Sequence, residues 1–202
     1  FNSTASTFQY QYGATAAAWS TGGSLNTARR ILGGAGIQTA ALAFGGQAPP
    51  GVTNVTEAYN GSNWTEVNDL NSARAGLAGC GTQTAALAFG GTGPTANTEL
   101  WNGSNWTEVN NLNTGRNVVA GAGISTSALA FGGNPVTAVT ESWNGTNWTE
   151  VNDLNTARQS LAGAGADNTS ALAFGGITPS AVTAVTETWN GTNWTEVNDL
   201  NT

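Results

Sequence analysis

Bulky apolar residues alternate with small ones in short runs, and the runs return at a near-constant interval. ALAFGG stands at 41–46, 86–91, 128–133 and, again as ALAFGG, at 171–176. Within it Leu42 and Phe44 share one face and Ala41 and Ala43 the other, the two-residue period of a strand. A bulky apolar face backed by a small apolar face predicts a strand covered on both sides, and the Gly pair after it ends the strand and permits positive φ. Upstream lie LGGAG at 32–36, LAGCG at 77–81, VAGAG at 119–123 and LAGAG at 161–165. Glycine inside a strand marks close backbone approach, so this strand belongs innermost, beside a crowded axis. Downstream, TNVTEAY at 53–59 and its counterparts ending at Trp101, Trp143 and Trp189 predict a third strand. A fourth runs from Trp64, Trp106, Trp148 and Trp194 through Thr-Glu-Val. Asn-Gly between the third and fourth predicts a hairpin, because both residues tolerate φ > 0.

In chain order these are strands A, B, C and D. The second Trp of each copy falls at 19, 64, 106, 148 and 194, so the intervals are 45, 42, 42 and 46 residues. A period of this size signals a repeat architecture. Four antiparallel strands per unit fits a blade of a β-propeller, whereas a helical solenoid would show 3.6-residue periodicity. The expectation is an all-β chain forming one β-propeller of four-stranded antiparallel blades over 1–202. It divides into an N-terminal half-blade of strands C and D (1–27), blade 1 (28–70), blade 2 (71–112), blade 3 (113–154) and blade 4 (155–202). The half-blade rests on the alternation of Phe8, Tyr10 and Tyr12 and on the six residues from Trp19 to Leu25, the same distance as Trp64 to Leu70. Propellers close by completing a blade, since an exposed sheet edge invites aggregation. The polypeptide is therefore expected to continue past Thr202 with an A–B pair. A ring so closed has five blades, or six or seven if more repeats follow.

Arg, then small residues, an apolar strand ending in Gly-Gly, an aromatic and a Trp five residues on, is similar to the kelch repeat over 29–200. Trp101, Trp143 and Trp189 stand where that family has Tyr, while Tyr59 keeps it. The near-identical copies of WNGTNWTEVNDLNTAR also resemble repeat proteins of marine bacteriophages, and FNSTASTF at the start resembles segments of phage tail and appendage proteins. That resemblance implies a virion appendage or tail-associated role.

Composition narrows the chemistry. The chain has 28 Gly and 8 Trp but no His, no Met and no Lys, and its net charge is −7. Five Arg without a basic cluster argue against nucleic acid as a partner, which needs phosphate-neutralising cations. No apolar run approaches the roughly 18 residues of a membrane helix, so no membrane insertion is expected. No cofactor and no metal is expected: one cysteine, Cys80, makes neither a disulfide framework nor a metal cluster. Copper chemistry of the kind kelch-like propellers house needs His ligands. Glu57 and Glu66 form a carboxylate pair, but the pair returns as Glu99/Glu108, Glu141/Glu150 and Glu187/Glu196, which marks it structural. The expectation is no enzyme. Eleven Asn-x-Ser/Thr sequons are present, best read as turn and strand-face residues.

Arg29, Arg74, Arg116 and Arg158 share one repeat position. Buried, each needs a carboxylate or carbonyl partner; the alternative is a solvated arginine ring. Trp64, Trp106, Trp148 and Trp194 read as packing between blades, the alternative being a stacking platform for sugars. With alternating strand directions, the B–C and D–A loops emerge on one face. The C–D spacing never changes, while the B–C loops QAPPGV, TGPTAN, NPVTAV and ITPSAV differ in content. Variable loops on a rigid scaffold carry recognition, which nominates Gln47, Pro49, Thr92, Thr95, Asn134, Thr137, Thr178 and Ser180 for ligand binding. The expected function is a non-enzymatic structural or binding propeller of a phage virion, in attachment or assembly. The alternative is a carbohydrate-binding, lectin-like propeller. Partners would be other virion proteins or a host-surface receptor or glycan, with an oligomer open, and the location the virion or the extracellular space.

Overall fold

The computed structural model describes residues 21–201; the half-blade expected at 8–20 lies outside them. The described residues form no helix. They form four blades of four antiparallel strands arranged as a β-propeller. Blade 1 holds β1 (Gly33–Ile37), β2 (Ala40–Phe44), β5 (Thr56–Tyr59) and β6 (Trp64–Val67). A small hairpin, β3 (Gln47–Ala48) and β4 (Gly51–Val52), interrupts its B–C loop. Blade 2 holds β7 (Ala78–Thr82), β8 (Ala85–Phe89), β9 (Thr98–Trp101) and β10 (Trp106–Val109). Blade 3 holds β11 (Ala120–Ile124), β12 (Ser127–Phe131), β13 (Thr140–Trp143) and β14 (Trp148–Val151). Blade 4 holds β15 (Ala162–Asp167), β16 (Ser170–Phe174), β17 (Thr186–Trp189) and β18 (Trp194–Val197).

Each blade is a meander whose strand A is innermost: β1 packs on β7, β7 on β11 and β11 on β15. The glycines of strand A make this approach workable. A Cβ on Gly79 would stand 2.3 Å from Phe44 Cζ, on Gly121 2.4 Å from Phe89 Cζ, and on Gly163 2.5 Å from Phe131 Cζ. The missing side chain is the hole into which the preceding blade inserts its phenyl ring. No comparable contact joins β15 to β1 among the described residues.

Two local expectations change. Strand C begins at Thr56, not at 53, because the Asn54 amide turns to the Leu70 carbonyl at 3.0 Å. The C–D turn does not put Asn at positive φ: Gly61 alone of the Asn-Gly pair does so, at 92°. The loop of four residues between Tyr59 and Trp64 closes with the Asn60 N–H on the Asn63 carbonyl at 3.2 Å. Asn60 acts through its side chain, whose Oδ1 accepts from the N–H groups of Ser62 and Asn63 at 3.0 and 2.9 Å. This is the Asx turn, a backbone turn mimicked by a side chain.

Three joints connect the four blades, and they are built alike. Trp106 Nε1 donates to Thr56 Oγ1 at 3.0 Å, Trp148 to Thr98 at 3.1 Å and Trp194 to Thr140 at 3.1 Å. The same indoles meet Phe44, Phe89 and Phe131 edge-on, with centroids 4.9, 5.0 and 5.0 Å apart. The polar tip is satisfied and the ring is buried, which is how tryptophan serves a core.

Candidate binding face

Beneath the loops each blade carries a buried ion pair. Arg74 reaches Glu99 at 2.7 Å, Arg116 reaches Glu141 at 2.9 Å and Arg158 reaches Glu187 at 2.8 Å, and Arg29 pairs with Glu57. Each carboxylate also holds the connector that brings the chain into its blade. The N–H and Nδ2 of Asn71 both donate to Glu99 Oε2, at 2.7 and 2.9 Å, and Asn113 does the same to Glu141 at 2.6 and 2.8 Å. The guanidinium of Arg116 also donates to the carbonyl of Gly132 at 2.9 Å, at the root of the B–C loop. The two glutamates of the repeat therefore differ: Glu57, Glu99, Glu141 and Glu187 are fully buried, whereas their cross-strand neighbours Glu66, Glu108, Glu150 and Glu196 face solvent. Burial by itself would raise the Glu57 pKa. Hydrogen bonds from the Asn26 N–H, the Arg29 guanidinium and the Thr27 N–H outweigh it and hold the carboxyl below its ordinary 4.5. Burial pulls Arg74 and Arg116 down, and Glu99 and Glu141 oppose it.

On this base the B–C loops and D–A connectors emerge together. The Gln47 N–H donates to Arg30, Thr92 to Ala75, Asn134 to Asn117 and Ile177 to Gln159, all at 2.8 or 2.9 Å through the backbone. The nominated residues thus share one face but sit on four separate loops. Several of their hydroxyls serve the loops themselves. Thr95 Oγ1 accepts from the Asn97 N–H at 3.3 Å and Thr137 from Val139 at 3.2 Å, as Thr53 and Thr183 do in their own blades. Thr92 Oγ1 accepts from the Ala75 N–H at 3.2 Å, and Thr178 donates to the Ala181 carbonyl at 3.0 Å beside Ser180. Gln47 and Pro49 line a cavity of about 510 Å³ with Ala28, Arg30 and Pro50, and there Arg30 Nε donates to Gln47 Oε1 at 3.1 Å.

At the axis the same face has a feature the sequence reading missed. Ile31, Gly76, Val118 and Ser160 occupy one repeat position and all take left-handed backbone, with φ of 47, 65, 45 and 53°. Non-glycine residues there store about 1–3 kcal/mol each, and the surroundings show why they stay. The Gly76 N–H donates to the Ile31 carbonyl at 2.8 Å, Val118 to Gly76 at 2.7 Å and Ser160 to Val118 at 3.1 Å. These bonds form a belt that runs from blade to blade. With Leu32, Leu77, Val119 and Leu161 the belt lines an apolar mouth of about 240 Å³. The signal available was Gly76 itself, a glycine in a column otherwise filled by Ile, Val and Ser.

The tryptophans of the joints are 5% exposed at Trp106, Trp148 and Trp194, and Trp101, Trp143 and Trp189 are buried beside them. Among the described second tryptophans, Trp64 alone is half-buried. Cys80 is enclosed, its thiol pushed up to about 12 by burial. Among the described residues no three His, Cys, Asp or Glu side chains stand where they could hold a metal ion. No protein-family model and no curated protein matches this chain.

Proposed function

We propose that this propeller is a non-enzymatic binding or structural module of a bacteriophage appendage or tail, acting in attachment or assembly through its B–C face. The observation that carries the reading is a division of labour. The joints repeat the same Trp, Thr, Phe and Gly partners blade after blade, while the loops rooted on the Arg–Glu pairs change residue by residue. Recognition belongs on the loops of a scaffold held this way. The Arg–Glu pairing occupies the buried carboxylates, and the chain has no His for general acid–base work. The phage setting rests on the similarity of the WNGTNWTEVNDL copies to marine phage repeats, and a kelch-type lineage on the order of Arg, Gly-Gly, aromatic and Trp. Partners are then virion proteins or a host-surface receptor, and the location the virion or extracellular space.

The test exchanges the loops. In a chain whose 47–52, 92–97 and 177–182 segments are replaced by the blade 3 loop, binding to phage particles or host cells is lost and melting is unchanged. Binding that survives this exchange and disappears on altering the C–D turns at 60–63 and its copies overturns the assignment. Saturable binding on a glycan array would make the face a lectin site instead.

A further inference from the structure

Three of the devices that join the blades stop at the same place. An indole from the following blade seats on Phe44, Phe89 and Phe131 and donates to Thr56, Thr98 and Thr140. The equivalent seat on blade 4 is Phe174 with Thr186, and no described residue supplies its indole. The backbone belt ends at Ser160, whose carbonyl accepts no backbone N–H among the described residues, and begins at Ile31, whose N–H finds no backbone carbonyl there. The apolar residues around the seat are uncovered: Leu172 is 37% exposed, Val197 41% and Leu200 48%. Their counterparts Leu129 and Leu154 are at 0 and 4%. So large an uncovered apolar set on one face marks an interaction surface.

We propose that this face is the seat of the chain's own segment 8–20, with Trp19 as the indole that meets Phe174 and donates to Thr186. The connector after Trp19 is the first argument. Asn26 donates from its N–H and Nδ2 to Glu57 at 2.7 and 2.9 Å and to the Trp64 carbonyl at 3.0 Å, the three bonds Asn71 makes to Glu99 and Trp106. Asn71 arrives from the blade preceding blade 2, so Asn26 arrives from a position preceding blade 1, which is the gap. Spacing is the second argument: Trp19 stands six residues before Leu25 and ten before Arg29, as Trp64 stands before Leu70 and Arg74. Chemistry is the third. The segment FQYQYGATAAAWS has no charged residue and four aromatic ones, which matches an uncharged seat of Leu172, Phe174 and Thr186.

A double-mutant cycle on the full chain tests this. Trp19→Ala and Phe174→Ala each lower the urea midpoint, and the double variant falls no further than the worse single one, because both remove one contact. Trp19→Ala combined with Phe131→Ala gives additive losses. An unchanged midpoint for Trp19→Ala, or additive losses with Phe174→Ala, overturns the proposal. A dimer in sedimentation that Phe174→Ala dissociates also overturns it, since a second copy then fills the seat. Should Phe174→Ala not fold, thiol labelling of Leu172→Cys reads the same seat, with Cys80 buried as the silent control. Trp19→Ala speeds that labelling if the segment covers the face, and equal rates overturn it.

Discussion

Blades 3 and 4 have the same strand B, SALAF, and differ in environment rather than in sequence. Leu129 is sealed in a cluster with Trp189 and Trp194, whereas Leu172 stands open. Leu154 is covered and Leu200 is not. Yet Arg116 and Arg158 are equally buried and equally paired. The contrast separates two kinds of stability. The ion pair belongs to one blade and comes with its sequence. The apolar seal belongs to a pair of blades and comes only with a neighbour, as expected of repeats whose stability is a sum of intrinsic and interface terms.

The largest test of that separation removes the cations. Arg116→Ala and Arg158→Ala each strand a buried glutamate, and each should cost about 3–5 kcal/mol. The two losses should be alike in urea denaturation, because neither pair crosses a joint. Unequal losses would mean that the ion pair depends on the next blade after all. The apolar seal should behave oppositely. Leu154→Ala should cost about 2–5 kcal/mol. In a chain carrying Trp19→Ala, so that segment 8–20 no longer seals blade 4, Leu200→Ala should cost far less, and equal losses there would show that the seal does not depend on that segment. A subtler version uses strand A. Gly121→Ala drives a methyl into Phe89 and should cost about 1–3 kcal/mol by overpacking. Gly34→Ala meets nothing nearer than the Leu42 carbonyl at 3.5 Å and should be nearly silent in thermal melts. A silent Gly121→Ala would break the account of why strand A is glycine-rich.

The smallest effect is one of pH. Glu57 has a folded pKa below its ordinary 4.5, so its contribution is present above that value and drains away as pH falls through the folded pKa. Stability measured against pH should therefore decline on the acid side of 4.5, and Glu57→Gln should flatten part of that decline. An unchanged profile would remove Glu57 from the acid response.

Much of the architecture was legible because the repeat multiplies weak signals. One Asn-Gly is a hint, but Asn-Gly between two aromatics at fixed spacing in every blade is a hairpin. The partner of each Arg was not legible in the same way. Glu57 and Glu66 stand as candidates at the same fixed distances in each copy, and only the fold shows that the first turns inward. The belt was hidden for a different reason. Ile31 and Val118 are β-branched residues that read as strand formers, and bonds to the neighbouring blade rather than local preference hold them at positive φ: the Ile31 carbonyl accepts from the Gly76 N–H, and the Val118 N–H donates to the Gly76 carbonyl. The β3–β4 hairpin also escaped notice, since QAPPGV carries two prolines in its six residues.

The joints are interchangeable parts. Excising 113–154 would splice Leu112 to Asn155 and set Trp194 against Phe89, with Gly163 accommodating that ring as Gly121 did. Every bond of the lost joint has an equivalent ready in the new one. A chain that loses or gains a whole repeat of 42 to 46 residues would therefore keep matched joints throughout. The number of blades is then free to vary, and the loops on the shared face travel with the blades that carry them.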